Sequence, residues 1–131
     1  MSENKKPTFQ MIGLAIDSND AVKLGTFYQK MLGWKNTHEG GEWYGLGVPG
    51  QEMTLAFQTV ENYQLPTWPY EAGKPGQMLH LDFYVENVEE AVAHAIECGA
   101  TIARDQFYEE YGSKTMIDPA GLPFCLVQVK G

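Results

Sequence analysis

The sequence predicts an α+β protein built from two βαβββ modules that together form an open, cup-shaped mixed sheet. Three observations lead there. A segment of alternating apolar residues followed by a segment of helical period occurs twice in the chain. Each helical segment closes on a glycine, Gly33 and Gly99. The two halves also match at an offset of about 67 residues, with Leu32-Gly33-Trp34 lying over Cys98-Gly99-Ala100, as expected of an internal repeat. At 131 residues the chain is one domain, long enough to bury roughly two-thirds of its unfolded surface without disulfides or metal.

Residues 9-17 read as a strand, in which Ile12, Leu14 and Ile16 alternate with Met11, Gly13, Ala15 and Asp17. Ser18, Asn19 and Asp20 are capping types, and behind them Val22, Leu24, Phe27, Tyr28, Met31 and Leu32 recur at helical spacing. Short strands near 34-38, 42-47 and 53-60 follow, separated by Gly40-Gly41 and Pro49-Gly50 turns. This is module 1, about 9-60. A Pro-, Gly- and aromatic-rich linker at 61-76 has no period. Module 2, about 77-130, repeats the order: a strand at 77-85, then a helix at 88-98 with Val88, Ala91, Val92, Ala95 and Ile96 on one face. Strands near 101-105, 114-118 and 123-129 complete it, with Asp118-Pro119-Ala120-Gly121 as the last turn. The domain spans 1-131.

A formal charge of -8 with nine Lys and Arg, Arg104 being the only arginine, argues against a nucleic-acid partner, because phosphate binding needs clustered cations. The same acidity favours a cationic ligand over an anionic one. MSENKKPTF has no apolar stretch behind it to serve as a signal-peptide core, and no apolar run approaches membrane-spanning length. A cytoplasmic protein without a membrane partner is expected, its two cysteines, Cys98 and Cys125, reduced.

Asp20-Ala21-Val22-Lys23-Leu24-Gly25-Thr26-Phe27-Tyr28, then Leu32-Gly33-Trp34, resembles the D-P-x-x-L-x-x-F-Y…L-G-W signature of the vicinal oxygen chelate superfamily, which includes glyoxalase I, extradiol dioxygenases and bleomycin-resistance proteins. The second half adds His80-Leu81-Asp82-Phe83-Tyr84-Val85, Gly99-Ala100 and the run from Asp118 to Leu126, which are similar to the glyoxalase-like subgroup, as is Trp68-Pro69 ahead of His80. The resemblance runs from Phe9 to Val129. It implies one of several functions, since the superfamily hosts lyases, isomerases, dioxygenases and non-catalytic drug binders. It also implies a homodimer that completes the cup. In metal-using members four ligands come from the first and last strands of the two modules; here those positions fall on Gly13, Ala56, His80 and Cys125, and only His80 matches the usual pattern. No metal or other cofactor is therefore expected. The alternative is a divalent metal with Gln58 or Asp82 supplying oxygen in a shifted arrangement.

Strand alternation sends Leu81, Phe83 and Val85 toward the helix and His80, Asp82 and Tyr84 into the cup. His80 and Asp82 are the candidate catalytic pair, because imidazole changes protonation state near neutral pH and a neighbouring carboxylate orients it. In module 1 the same rule turns Gly13, Ala15, Ala56 and Gln58 inward if Ile12, Leu14, Leu55 and Phe57 face the helix. Small residues there leave room. The candidate ligand-binding set is Gln58, His80, Asp82, Tyr84, Cys125, Trp43, Trp68 and Tyr108, with Tyr44, Tyr70 and Tyr111 as further aromatics. The Glu109-Glu110 pair between two tyrosines favours a cationic ligand. The expected function is thus a metal-poor, glyoxalase/bleomycin-resistance-like protein that binds a small, planar or cationic organic molecule. The alternative is a lyase, isomerase or dioxygenase with a displaced metal, or metal-free proton transfer by His80 and Asp82.

Overall fold

The structure, a computed structural model, describes residues 6–130; the parts of the predicted domain at residues 1–5 and 131 lie outside the described residues. Module 1 consists of β1 (Gly13–Ser18), α1 (Ala21–Leu32), β2 (Asn36–Gly40), β3 (Trp43–Gly47) and β4 (Thr54–Thr59). Module 2 repeats it with β5 (Leu81–Val85), α2 (Val88–Cys98), β6 (Thr101–Ile102), β7 (Ser113–Ile117) and β8 (Pro123–Gln128), with a 3-10 turn at Glu109–Tyr111 before β7. Each module has its own open four-stranded mixed sheet, ordered β1-β4-β3-β2 and β5-β8-β7-β6, with the first and last strands parallel and the remaining pairs antiparallel. The two βαβββ modules expected from the repeat are therefore present, and neither sheet closes into a barrel.

The helices begin and end where the chain chemistry requires. Asp20 and Asn87 accept hydrogen bonds from the N–H groups of Lys23 and Glu90, both at 3.0 Å, and so satisfy the first turns of α1 and α2. Gly33 and Gly99 close them at φ 75° and 124°, values that side chains with a Cβ rarely adopt. Leu24, Phe27 and Tyr28 bury the inner face of α1, whereas Val22 and Ile96, grouped with the core-facing stripes by period, are each 46% exposed. Each helix packs on one side only, so residues at the margin of the stripe stay wet.

Two strands start later than alternation suggests. Residues 9-12 are irregular, and Ile12, expected to face the helix, is 71% exposed. β1 is an edge strand whose only partner is β4, and that pairing begins at Gly13 with Thr54. In module 2 the ladder starts at Leu81 with Phe124, because Pro123, which opens β8, has no N–H to offer a longer β5. His80 thus sits one residue before its strand. The strand foreseen at 101-105 pairs only over Thr101 and Ile102.

The modules are joined through their helical sides by an aromatic cluster. Tyr28 stacks on Phe57 of its own module, with ring centroids 5.1 Å apart and planes at 7°, and meets Phe124 of module 2 edge-on at 5.8 Å. The Tyr28 hydroxyl donates to Asp118 Oδ2 at 2.6 Å, while Asp118 Oδ1 accepts from the N–H groups of Ala120 and Leu122 at 2.9 and 3.0 Å. Tyr63, in the linker, donates to the Ala120 carbonyl at 2.8 Å. Burial raises the Asp118 carboxyl above its ordinary value, and those donors pull it back down. Burial, reinforced by the Asp118 charge, raises Tyr28 well above the usual phenol range, and the same causes together with Asp17 push Tyr63 up to about 12.

This packing can be tested at three points. Gly to Ala inside a helix ordinarily stabilises by about 1 kcal/mol. At Gly25, however, a methyl group would lie 2.2 Å from the Tyr44 ring, so Gly25→Ala is expected to lower stability by about 1–3 kcal/mol, read from the urea midpoint. Tyr28→Phe removes one donor from a buried carboxylate and should cost about 1–3 kcal/mol. Because the folded-state values of Tyr28 and Tyr63 are raised, folded protein binds more protons than unfolded protein above about pH 10, and stability must fall there as pH rises. Denaturant titrations between neutral and alkaline pH should show that fall, and a smaller one in Tyr28→Phe.

Candidate functional site

β5, β8 and β7 lie side by side, and their register builds the site in two rows. Asp82 pairs with Cys125 and Cys125 with Thr115; one step along, Tyr84 pairs with Val127 and Val127 with Ser113. Period two puts Asp82 and Tyr84, Cys125 and Val127, Thr115 and Ser113 on the face away from the helices. Leu81, Phe83 and Val85 pack against the core instead, as alternation predicts. Asp82, Cys125, Tyr84, Val127 and Ser113 of these rows floor a cavity of about 520 Å³, which His80, Phe83, Tyr108 and Tyr111 also line.

The walls come from the loop between β6 and β7. Gln106 holds this loop against β7, donating to the carbonyls of Ala103 and Thr115 at 3.0 and 2.8 Å and accepting from the Thr115 N–H at 2.8 Å, much as an added strand residue would. The 3-10 turn then places Tyr108 and Tyr111 over the floor, and Lys114 pairs with Glu109 at 2.6 Å behind them. His80 Nε2 stands 3.2 Å from Asp82 Oδ1, with both side chains open to solvent at 37% and 59%. Cys125 is buried, 3.4 Å from the Thr115 hydroxyl, and is a free thiol like Cys98.

The structure brings together His80, Asp82, Tyr84, Tyr108 and Cys125, with Tyr111 beside them. It does not bring in the others. Gln58 and Trp43 pair with each other in module 1, and Asp17 pairs with Gln58, so these three form a row on a separate sheet. Trp68 lies outside the lining of the cavity and packs edge-on against Phe107 at 6.0 Å, its indole N–H buried without a partner. Tyr44 points the opposite way from Trp43, is buried beneath α1 and donates to Gln29; Tyr70 is 70% exposed. Ser113 and Val127 went unnoticed in the sequence, although alternation from Cys125 reaches Val127 directly.

Module 1 offers no such chemistry. The positions in β1, β4 and β3 that correspond to Asp82, Cys125 and Thr115 are Ala15, Ala56 and Gly45, themselves register partners. A metal site drawing two ligands from each module, as the resemblance implies, cannot form on them, since neither Ala nor Gly offers a side-chain donor. Within module 2, one ligand atom from each of His80, Asp82 and Cys125 lies within 4.8 Å of the others. This donor set is an imidazole, a carboxylate and a thiol, which suits a borderline-soft divalent metal.

Two repeated βαβββ modules with open mixed sheets and a cavity on the face away from the helices define the class of protein. The Glyoxalase-like domain matches residues 13–127, and the chain belongs to that family. Solved structures agree in fold. A possible glyoxalase from Bacillus cereus is 14% identical over 92% of this chain and 99% of its own, with a TM-score of 0.66. A glyoxalase/bleomycin resistance protein/dioxygenase family enzyme from Burkholderia phytofirmans PsJN is 19% identical over 90% and 97%, with a TM-score of 0.67. An antibiotic binding protein from Streptomyces sp. CB03234 is 16% identical over 96% and 100%, with a TM-score of 0.62. At these identities the likeness is one of fold alone. No curated protein matches the chain. No helix among the described residues is long and apolar enough to cross a membrane.

Proposed function

We propose that this chain is a cytoplasmic binding protein for a small, planar, cationic organic molecule. One observation carries the reading: three tyrosines, Tyr84, Tyr108 and Tyr111, and the carboxylate of Asp82 surround a single cavity of about 520 Å³, a volume suited to a small organic ligand. Aromatic faces attract a cation by about 0.5–2 kcal/mol each, and a charged hydrogen bond to Asp82 adds about 1.5–3 kcal/mol. No lysine or arginine lines the cavity, and Arg104 is paired with Asp105 at 2.9 Å, which weighs against an anionic thiol adduct as substrate. That a neighbour of this fold binds an antibiotic supports a binding role. The free thiols of Cys98 and Cys125 support a reducing compartment. The contact between His80 and Asp82 favours the second reading, metal-free proton transfer in a lyase or isomerase.

Thermal-shift screening followed by calorimetry tests the proposal. Planar cationic antibiotics should raise the melting temperature, and Asp82→Asn or Tyr108→Ala should weaken the best of them by about tenfold. If the hemithioacetal of glutathione and methylglyoxal is turned over, or stabilises the protein while every cation fails, the lyase reading replaces this one.

The working unit we infer is a homodimer. Phe9, Met11 and Ile12 ahead of β1 and Met78 ahead of β5 expose large apolar side chains next to the open sheet faces, Phe9 at 92% and Met78 at 99%. A second copy of the chain would cover them and give the module 1 row of Asp17, Gln58 and Trp43 a facing wall. Sedimentation equilibrium should return twice the chain mass at micromolar concentration; a monomer at high micromolar concentration overturns the inference.

A further inference from the structure

We infer that His80, Asp82 and Cys125 form a site for one thiophilic divalent cation of the zinc class, held by module 2 alone. Three donors of different chemistry converge within 4.8 Å on one wall of the cavity. Two ligands on a tetrahedral zinc stand about 3.3 Å apart, and His80 Nε2 and Asp82 Oδ1 are already at 3.2 Å.

The site is carried by rigid structure. Asp82 and Cys125 are register partners across the parallel β5–β8 ladder, so their separation is set by backbone hydrogen bonds. Behind the sulfur, the buried Thr115 hydroxyl at 3.4 Å is placed to donate to a thiolate, the outer-shell contact that steadies a metal-bound cysteine. A thiolate and a carboxylate together carry two negative charges beside a neutral imidazole, which balances a divalent cation, and no lysine or arginine lines the cavity to oppose it. Sulfur excludes magnesium and calcium, which take oxygen ligands, and selects zinc or cobalt. With three protein ligands the fourth position faces the cavity, open to water or to an oxygen of a bound molecule. The corresponding row of module 1, Ala15, Ala56 and Gly45, has no donor, so the cation does not bridge the modules.

The inference shares the cavity with the organic ligand proposed above but does not rest on it, and its test uses the metal alone. Reduced, chelator-stripped full-length chain is titrated with Co(II). A near-ultraviolet thiolate-to-cobalt charge-transfer band and visible bands of tetrahedral intensity should saturate at about one equivalent and be displaced by Zn(II). Cys125→Ser should abolish the charge-transfer band, and Asp82→Asn should weaken cobalt affinity by at least about tenfold. Cys98→Ser should leave the spectrum unchanged, although Cys98 has an imidazole of its own 3.9 Å away, that of His94. Circular dichroism reports folding of each variant. Should Cys125→Ser fail to fold, His80→Ala, at an exposed position, takes its place and must shift the visible bands. Folded wild-type chain without cobalt bands overturns the inference, as does a charge-transfer band that survives Cys125→Ser and disappears in Cys98→Ser. A positive result with no organic ligand found leaves this site standing while the binding-protein reading falls, and the reverse result does the opposite.

Discussion

The hydroxyl of Tyr28 and the carboxylate of Asp118 meet in the core, and much of the molecule is arranged around that contact. Tyr28 belongs to α1 of module 1, Asp118 to the turn between β7 and β8 of module 2, so one hydrogen bond of 2.6 Å ties the two repeats. A carboxylate that is 3% exposed is costly unless its oxygens are occupied, and here the phenol and two backbone N–H groups occupy them. Those N–H groups belong to Ala120 and Leu122, so the charge that holds the modules together also shapes the turn. The turn delivers Pro123 to the start of β8, and Pro123 sets where β5 begins to pair. From there the register fixes Asp82 opposite Cys125. The geometry of the cavity is thus tied to an aromatic contact on the far side of the sheet.

Repetition of the fold has not meant repetition of its contents. Both modules use an edge strand parallel to the last strand, a capped helix and a glycine stop, because those features are needed to bury each helix on its sheet. The faces turned away from the helices carry no such demand. One has Ala15, Ala56 and Gly45 where the other has Asp82, Cys125 and Thr115. At the matching row module 1 has no side-chain donor, its polar groups Asp17 and Gln58 lying one row further along the same face, so the chemistry of this chain is asymmetric and the candidate site lies in the second repeat.

Period and punctuation made much of this legible beforehand. The helical period places α2 at 88-98, and Gly33 and Gly99 end their helices, because capping is a local rule that depends on neighbours in sequence. Asp82 and Tyr84 shared a face for the same reason: the pleat has period two wherever a strand forms. Where a strand stops is a different question, decided by its partner. Residues 9-12 precede the ladder, although the Ile12 carbonyl accepts from the Thr54 N–H at 3.0 Å, and 77-80 lose their ladder to a proline more than forty residues away. Gln58 and Trp43 belong with His80 only if both sheets enclose one space, and the spatial relation of two sheets is not written in either period. Tyr84, Tyr108 and Tyr111 do line one cavity, and the loop that carries the last two is held by Gln106 bonding to the backbone of β7, a contact across nine residues that no period marks.

Net charge invites a simpler account of ligand choice than the structure supports. A charge of -8 spread over the surface is screened beyond about 10 Å at moderate salt, so it raises the encounter rate of cations more than it discriminates among them. Discrimination has to come from groups the ligand touches. Of the cations close to the cavity loop, Arg104 is neutralised by its neighbour Asp105 and Lys114 by Glu109, which leaves Asp82 as the only carboxylate on the lining. Glu109 and Glu110, the acidic pair between two tyrosines, therefore act differently from what their sequence position suggests. Glu109 binds Lys114 and holds down the turn that carries Tyr108 and Tyr111, and neither glutamate faces the cavity. The loop's acidity positions aromatic rings, and the charge a ligand would meet comes from the strand beneath them.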